Sequence, residues 1–196
     1  IILNNLYLFR IILNLLRIKI IKNMQPLREA ISENHTKAER MPFNVRMFKG
    51  QLGPDEYLLY LVQQLEIFKT IENIGIPSPL LSRVDAVQQD IDELENKGVE
   101  PQEILQSTKI YTTYLNSLNK ETLLPHIYMH YLAIMYGGQM MKKAVPSSGK
   151  MYEFTDMKTA IASIRKVQKD EWADEVNKGF EYLIDIFNEL ETSKVA

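Results

Sequence analysis

The sequence predicts one all-α domain. Three observations carry that prediction: apolar residues recur at helical spacing almost throughout, no stretch alternates apolar and polar residues as a half-buried strand does, and proline and glycine clusters cut the chain into helix-sized pieces. A length of 196 residues suits a single core of useful size.

Residues 1–23, IILNNLYLFRIILNLLRIKIIKN, are set apart from the rest, with no acidic residue before Glu29. Arg10, Arg17 and Lys19 interrupt the apolar run, which argues against a stable membrane span, and no small-residue cleavage site marks a secretory signal. The segment reads as a leader, a basic surface anchor or upstream-derived sequence outside the core, and residues 24–196 as the folded domain.

From Met24 onward the elements follow in order. A first helix is expected from Pro26 to Arg40, with proline tolerated in its first turn. Pro54, Asp55 and Glu56 open a second, reaching about Asn73, because proline fits the first position and acids favour the positive end. Gly75-Ile76-Pro77-Ser78-Pro79 stops it. Leu80, Val84, Val87, Ile91 and Leu94 form an amphipathic stripe that ends at Gly98. Pro101 starts the next helix, through Tyr111 and Leu118; a long one runs from Thr122 to Ala144; Pro146-Ser147-Ser148-Gly149 breaks the chain; two more cover Asp156 to Lys169 and Trp172 to Thr192.

Composition removes several chemistries. The absence of cysteine excludes disulfides, thiolate metal sites and cysteine nucleophiles. A net charge of −2 gives no general attraction to nucleic acid. Catalysis must rest on the 3 histidines, on carboxylates and tyrosines, or on a bound cofactor. His35 lies mid-helix in Glu33-Asn34-His35-Thr36-Lys37-Ala38-Glu39, with Glu39 one turn on and able to orient the ring; a neutral imidazole is a good axial ligand for haem iron. His126 and His130 could share one helix face and a metal, although no third ligand stands nearby, and the Glu-x-x-His pattern of di-iron bundles is missing. Gly137-Gly138 inside a helix costs roughly 2 kcal/mol of helix propensity. A flat group approaching the backbone, a kink, or close helix packing would each explain the pair. Arg28, Arg165 and Lys169 are cations suited to carboxylate recognition.

The ordered combination of these pieces resembles the haem oxygenase family. Leu27-Arg28-Glu29-Ala30 through Glu39, followed by Phe48-Lys49-Gly50-Gln51, is similar to the family's proximal helix and the loop after it. Tyr128-Met129-His130-Tyr131-Leu132 and Gly137-Gly138-Gln139-Met140-Met141-Lys142-Lys143 resemble its distal helix, and Tyr152-Glu153-Phe154 and Phe187-Asn188-Glu189-Leu190-Glu191 its later segments. The resemblance implies a haem-oxygenase-like helical bundle in which haem is both substrate and cofactor. It places His35 as the iron ligand, Glu39 beside it, Gly137 and Gly138 on a flexible distal helix, Arg28, Tyr128, Arg165 and Lys169 at the propionates, and Phe180 and Phe187 in the pocket lining. It implies O2 as co-substrate, ferredoxin or a similar electron donor, biliverdin, carbon monoxide and ferrous iron as products, and a downstream bilin reductase. The polar end Glu191–Ala196 resembles the untethered form of the family. The expected location is the cytoplasm, or a plastid if residues 1–23 are a leader remnant.

One departure stands out. The family pattern has glycine then aspartate, the latter anchoring distal water, where this chain reads Ala133-Ile134, and His130 occupies a common arginine position. Tyr136, Gln139 or His130 would have to hold the water, or oxygen activation is impaired. Three readings follow: a working haem oxygenase, a haem-binding protein without turnover because of Ile134, or another all-helical enzyme or interaction bundle. Thiamin-degrading bundles of related appearance depend on a catalytic cysteine, which this sequence lacks.

Overall fold

Helices in the computed structural model, which describes residues 25–193, begin where the chain offers a proline, an acid or an extended cap. Residues 1–24, and with them the leader-like segment, lie outside the described residues, as do residues 194–196. In chain order the α-helices are α1 Leu27–Ala30, α2 Ser32–Glu39, α3 Pro42–Phe48, α4 Pro54–Ile74, α5 Val84–Asn96, α6 Gln106–Asn116, α7 Leu124–Tyr136, α8 Gly138–Met141, α9 Met157–Arg165 and α10 Ala173–Thr192. Short 3-10 turns at Pro79–Leu81, Lys150–Tyr152 and Asp170–Trp172 join them, and no strand occurs among the described residues.

The second and last helices match their expected ends to within a residue or so. Pro54 takes the first position of α4, and Glu56 Oε2 accepts from the Gly53 backbone N–H at 3.1 Å, satisfying one orphan donor. At α9, Asp156 caps the Thr159 N–H at 3.0 Å.

Four expectations are corrected. The first helix is broken at Ile31 (φ −101°, ψ −1°) into α1 and α2. Helix α3, in the stretch between the first two expected helices where none is predicted, forms because Pro42 supplies a first-position start and Phe43 and Met47 are buried. Residues 101–105 are not helical: the Gln63 amide donates to Glu103 O at 3.0 Å and accepts from Leu105 N at 2.9 Å, holding this strap extended against α4. The long distal helix ends at Tyr136 and resumes as α8 after Gly137.

Helices α4, α6, α7 and α10 supply most of the core, with Tyr57, Phe68, Tyr111, Ile127, Tyr131 and Val176 each essentially inaccessible. Arg46 on α3 reaches Glu56 at 2.7 Å and Glu191 at 3.0 Å, tying α3 to the start of α4 and the end of α10. Gly50 (φ 66°) lies against Ala144, where an added Cβ would stand 3.2 Å from the carbonyl oxygen, so the turn after α3 is pressed onto the chain beyond α8.

Candidate active site

Helix α10 is the floor on which the site is assembled. The Asn34 amide on α2 donates to Asn177 Oδ1 at 3.2 Å, and the Asn177 amide donates to Ala30 O at 3.2 Å, so two complementary side chains set the position of α2. Leu27 N donates to Asp170 Oδ1 at 2.8 Å and fixes the start of the same segment. Two residues on from Asn177, Gly179 lets α7 come close: a Cβ there would meet His126 Nδ1 and Met129 Sδ at 3.1 Å. The next residue, Phe180, meets the His35 ring edge-on at 5.6 Å between centroids. Consecutive positions on α10 therefore support the two helices expected to face one another.

His35 is half exposed, with 51% of its side chain accessible. Its Nδ1 lies 3.6 Å from Glu39 Oε2, which occupies that side of the ring, and no hydrogen-bond partner of Nε2 is seen among the described residues. His126 and His130, at 0% and 5%, are core residues. Of the three histidines, His35 is the one an external ligand can reach without unfolding a helix.

On the distal side, the C-terminal half of α7 and its continuation present Ala133, Tyr136, Gly137 and Met140 at intervals of three, one and three, a single face. Tyr136 is 55% and Met140 61% exposed, unusual for large apolar groups. The two glycines differ. A Cβ on Gly137 would meet only Ala133 O of its own helix turn, at 3.1 Å. A Cβ on Gly138 would fall 2.3 Å from Tyr152 Cδ1, so Gly138 is glycine because a buried ring lies on it. Close packing, one of the three sequence explanations, accounts for Gly138, and the open face accounts for Gly137. Ile134 is buried and brings no polar group to the exposed face.

The remaining expected residues divide in the same way. Tyr128 is buried, with Trp172 at 6.4 Å and the Arg165 guanidinium 5.6 Å above its ring. Arg165 also donates to Gln168 Oε1 at 2.6 Å, and Lys169 lies 3.7 Å from Glu121 in an exposed pair. Arg28 is exposed on α1. These cations are accessible, and exposed pairs of this kind are weak enough to exchange partners. Phe187 belongs to the core, stacked on Phe43 at 6.1 Å.

The His126–His130 pair is not a metal site of the kind considered: both rings hydrogen-bond to the Tyr111 hydroxyl, and no group of three or more His, Asp and Glu suited to a metal occurs among the described residues. Sequence reasoning missed Tyr111, Glu175 and the Asn34–Asn177 lock, whose partners come from helices remote in the chain. A groove of about 310 Å3 lined by Ala86, Gln89, Lys150, Glu153, Phe154 and Thr155 shares no residue with the candidate site. No described helix is long and apolar enough to cross a membrane.

The family model described as "Heme oxygenase" matches residues 22–189, most of the chain. The chain belongs to the haem oxygenase family. Within that family, "Heme oxygenase 2" of Macaca fascicularis is 25% identical over 84% of this chain and 64% of its own length, and "Heme oxygenase 1" of Homo sapiens is 29% identical over 66% and 53%. The chain thus spans between half and two thirds of the length of these two relatives. Among solved structures, the Synechocystis haem oxygenase-1 in complex with haem superposes with a TM-score of 0.70 at 22% identity, over 85% of this chain and 90% of that one. The Leptospira interrogans haem oxygenase gives 0.69 at 22%, over 83% and 97%. A thiaminase-like protein of Sulfolobus solfataricus gives 0.56 at 16%, over 85% and 94%, so the bundle is shared beyond haem oxygenases. These structural likenesses establish the fold.

Proposed function

We propose that this protein is a haem oxygenase that binds one haem between α2 and the α7–α8 face, with His35 as the iron ligand, and cleaves it to biliverdin, carbon monoxide and ferrous iron. The observation that carries the reading is the accessible His35 ring, braced by Phe180 and with no partner of Nε2 seen among the described residues, in a chain whose other histidines are locked in the core.

The residues present fit the group. A planar macrocycle needs a wall without side-chain relief, and Gly137 offers backbone where any other residue would project a Cβ into open space. Its apolar body suits the exposed Tyr136 and Met140 and the Phe180 edge, and its carboxylates suit Arg28, Arg165 and Lys169. When bound, haem supplies the iron at which O2 is activated. Glu39 takes the Nδ1 side of His35, which favours the tautomer with Nε2 bare for a metal. The Asn34–Asn177 pair holds α2, and so the ligand, at a set distance from α10. Ala133 and Gly137 leave room on the opposite side. Electrons come from an external donor of the ferredoxin class.

Titrating haem into the protein should develop a Soret band that His35→Ala abolishes or shifts. Addition of ferredoxin, its reductase and O2 should then replace that band with biliverdin absorption, identified by chromatography. A Soret band that persists under turnover would overturn the enzyme reading. It would favour the second reading, haem binding without turnover, which the buried apolar Ile134 motivates.

A further inference from the structure

The N-terminal half of α7 carries a buried polar chain that the reading above does not use. The Tyr111 hydroxyl lies 2.8 Å from His126 Nδ1 and 2.9 Å from His130 Nε2. His126 Nε2 lies 3.0 Å from Glu175 Oε1, and the Tyr114 hydroxyl donates to the same oxygen. Tyr111 and His126 are at 0% exposure and His130 at 5%, while the Glu175 side chain is 32% accessible, so the chain runs from the surface into the core. The groups packed around it are Tyr182, stacked on Tyr111 and Tyr114 at 4.9 and 5.3 Å, Lys178 over the Tyr114 ring, and Phe68 of α4 against His130.

Donor logic gives this chain a direction. Burial alone would raise Glu175, but the Tyr114 and His126 donors hold it below the usual carboxylate range, and a carboxylate only accepts. His126 therefore carries its proton on Nε2, which leaves Nδ1 bare. Tyr111 must donate to that Nδ1, and its oxygen then accepts from His130 Nε2–H. Burial keeps both imidazoles neutral, His126 being lowered and His130 brought down to about 3. His130 is left with a bare Nδ1, for which no hydrogen-bond partner is seen among the described residues.

His126, His130, Ala133 and Gly137 repeat at four, three and four, one stripe of α7. The stripe is covered at His126 by Gly179 and at His130 by Tyr111 and Phe68, and comes into the open at Ala133. We propose that His130 is the polar anchor of the distal wall: its Nδ1, kept bare by the hydrogen-bond chain that ends on Glu175, accepts from a water standing over Ala133 and exchanges protons with it. A proton arriving on Nδ1 moves Nε2–H to the Tyr111 oxygen, the Tyr111 proton to His126 Nδ1, and Nε2–H of His126 to Glu175. One proton enters at Nδ1 and one leaves from Glu175 to solvent, which sets both imidazoles in the opposite tautomers; a proton then taken up by Glu175 and passed back along the chain delivers one from His130 Nδ1 to the water and restores the starting state. The proposal rests on the haem reading only for what the water serves.

The tautomers can be read on the full chain without haem. Histidine-selective 15N NMR should show His126 and His130 as Nε2–H forms; Tyr111→Phe should leave His126 so and release His130 into a tautomer mixture. Glu175→Leu, at the partly exposed end, should disturb His126 first and serves if Tyr111→Phe does not fold. With haem added, Tyr111→Phe and His130→Gln should move the pH at which the ferric complex changes its visible spectrum by about one unit, at a haem affinity close to the parent's. Finding His130 as the Nδ1–H form, or an unmoved spectral midpoint, would overturn the proposal. Failure of the parent chain to develop any Soret band would overturn the haem reading instead and leave the tautomer result standing.

Discussion

The two halves of α7 invert the ordinary distribution of polarity. Its first half sends His126 and His130 into the core, where Tyr111 and Glu175 hydrogen-bond three of their four ring nitrogens, while its second half leaves Tyr136, and beyond it Met140, in solvent. Buried polar groups are tolerated only when paired, and exposed large apolar groups mark a surface meant to be covered. The first half is thus a finished structure and the second a prepared one. The same contrast separates the glycines: Gly138 is filled against by Tyr152, and Gly137 faces open space apart from its own helix turn.

The sharpest way to break this comparison is Gly138→Val. Its Cβ would sit 2.3 Å from the Tyr152 ring, far inside van der Waals contact with a side chain that is itself buried, so we expect a loss of about 3 kcal/mol or more, read as a lowered urea midpoint. A midpoint unchanged by the substitution would mean that Tyr152 can move away. Next, Tyr111→Leu removes the hydroxyl shared by two buried imidazoles and should cost about 2–3 kcal/mol by chemical denaturation, clearly more than Tyr136→Leu on the exposed half.

A pH series separates the halves again. His130 is held near 3 and His126 is lowered, chiefly by burial, whereas an unfolded histidine titrates near 6.5. The unfolded chain therefore binds more protons than the folded one in acid. The contribution of His130 is fully present above about pH 6.5 and is lost as pH falls towards about 3, by up to roughly 1.4 kcal/mol per unit, and His126 acts in the same direction. His130→Gln should flatten that slope in melts between pH 7 and 4, and an equally steep slope in the variant would contradict the assignment.

On the open half, Gly137→Ala should raise stability by up to about 1 kcal/mol through helix propensity and, on the haem reading, weaken haem binding at the same time. The smallest effect is expected at the exposed His35–Glu39 pair: Glu39→Gln should change thermal stability by less than about 0.5 kcal/mol. A larger loss would show that Glu39 supports the fold rather than the imidazole.

Much of the helix plan was legible because its signals are local. Pro54 with two acids opens α4, and the Asp156 cap opens α9. The clearest error falls where a distant group decides. Residues 101–105 carry a good proline start, yet the Gln63 side chain, some forty positions away, holds them extended. His35 was readable as the histidine with a carboxylate one turn on, and Gly137-Gly138 as a pair needing an explanation, but nothing in the local sequence says which glycine is packed and which is open.

By itself the sequence determined the helical periodicity, the absence of cysteine chemistry, and an order of motifs specific enough to name a family, because these depend on residues near one another in the chain. The tertiary structure alone decided that His126 and His130 are core groups and His35 is the accessible one. It also decided that Tyr111 and Glu175 close a hydrogen-bond chain and that Gly137 faces solvent. Each of those outcomes depends on which helices α10 brings side by side, and burial, pairing and accessibility belong to neighbours in space.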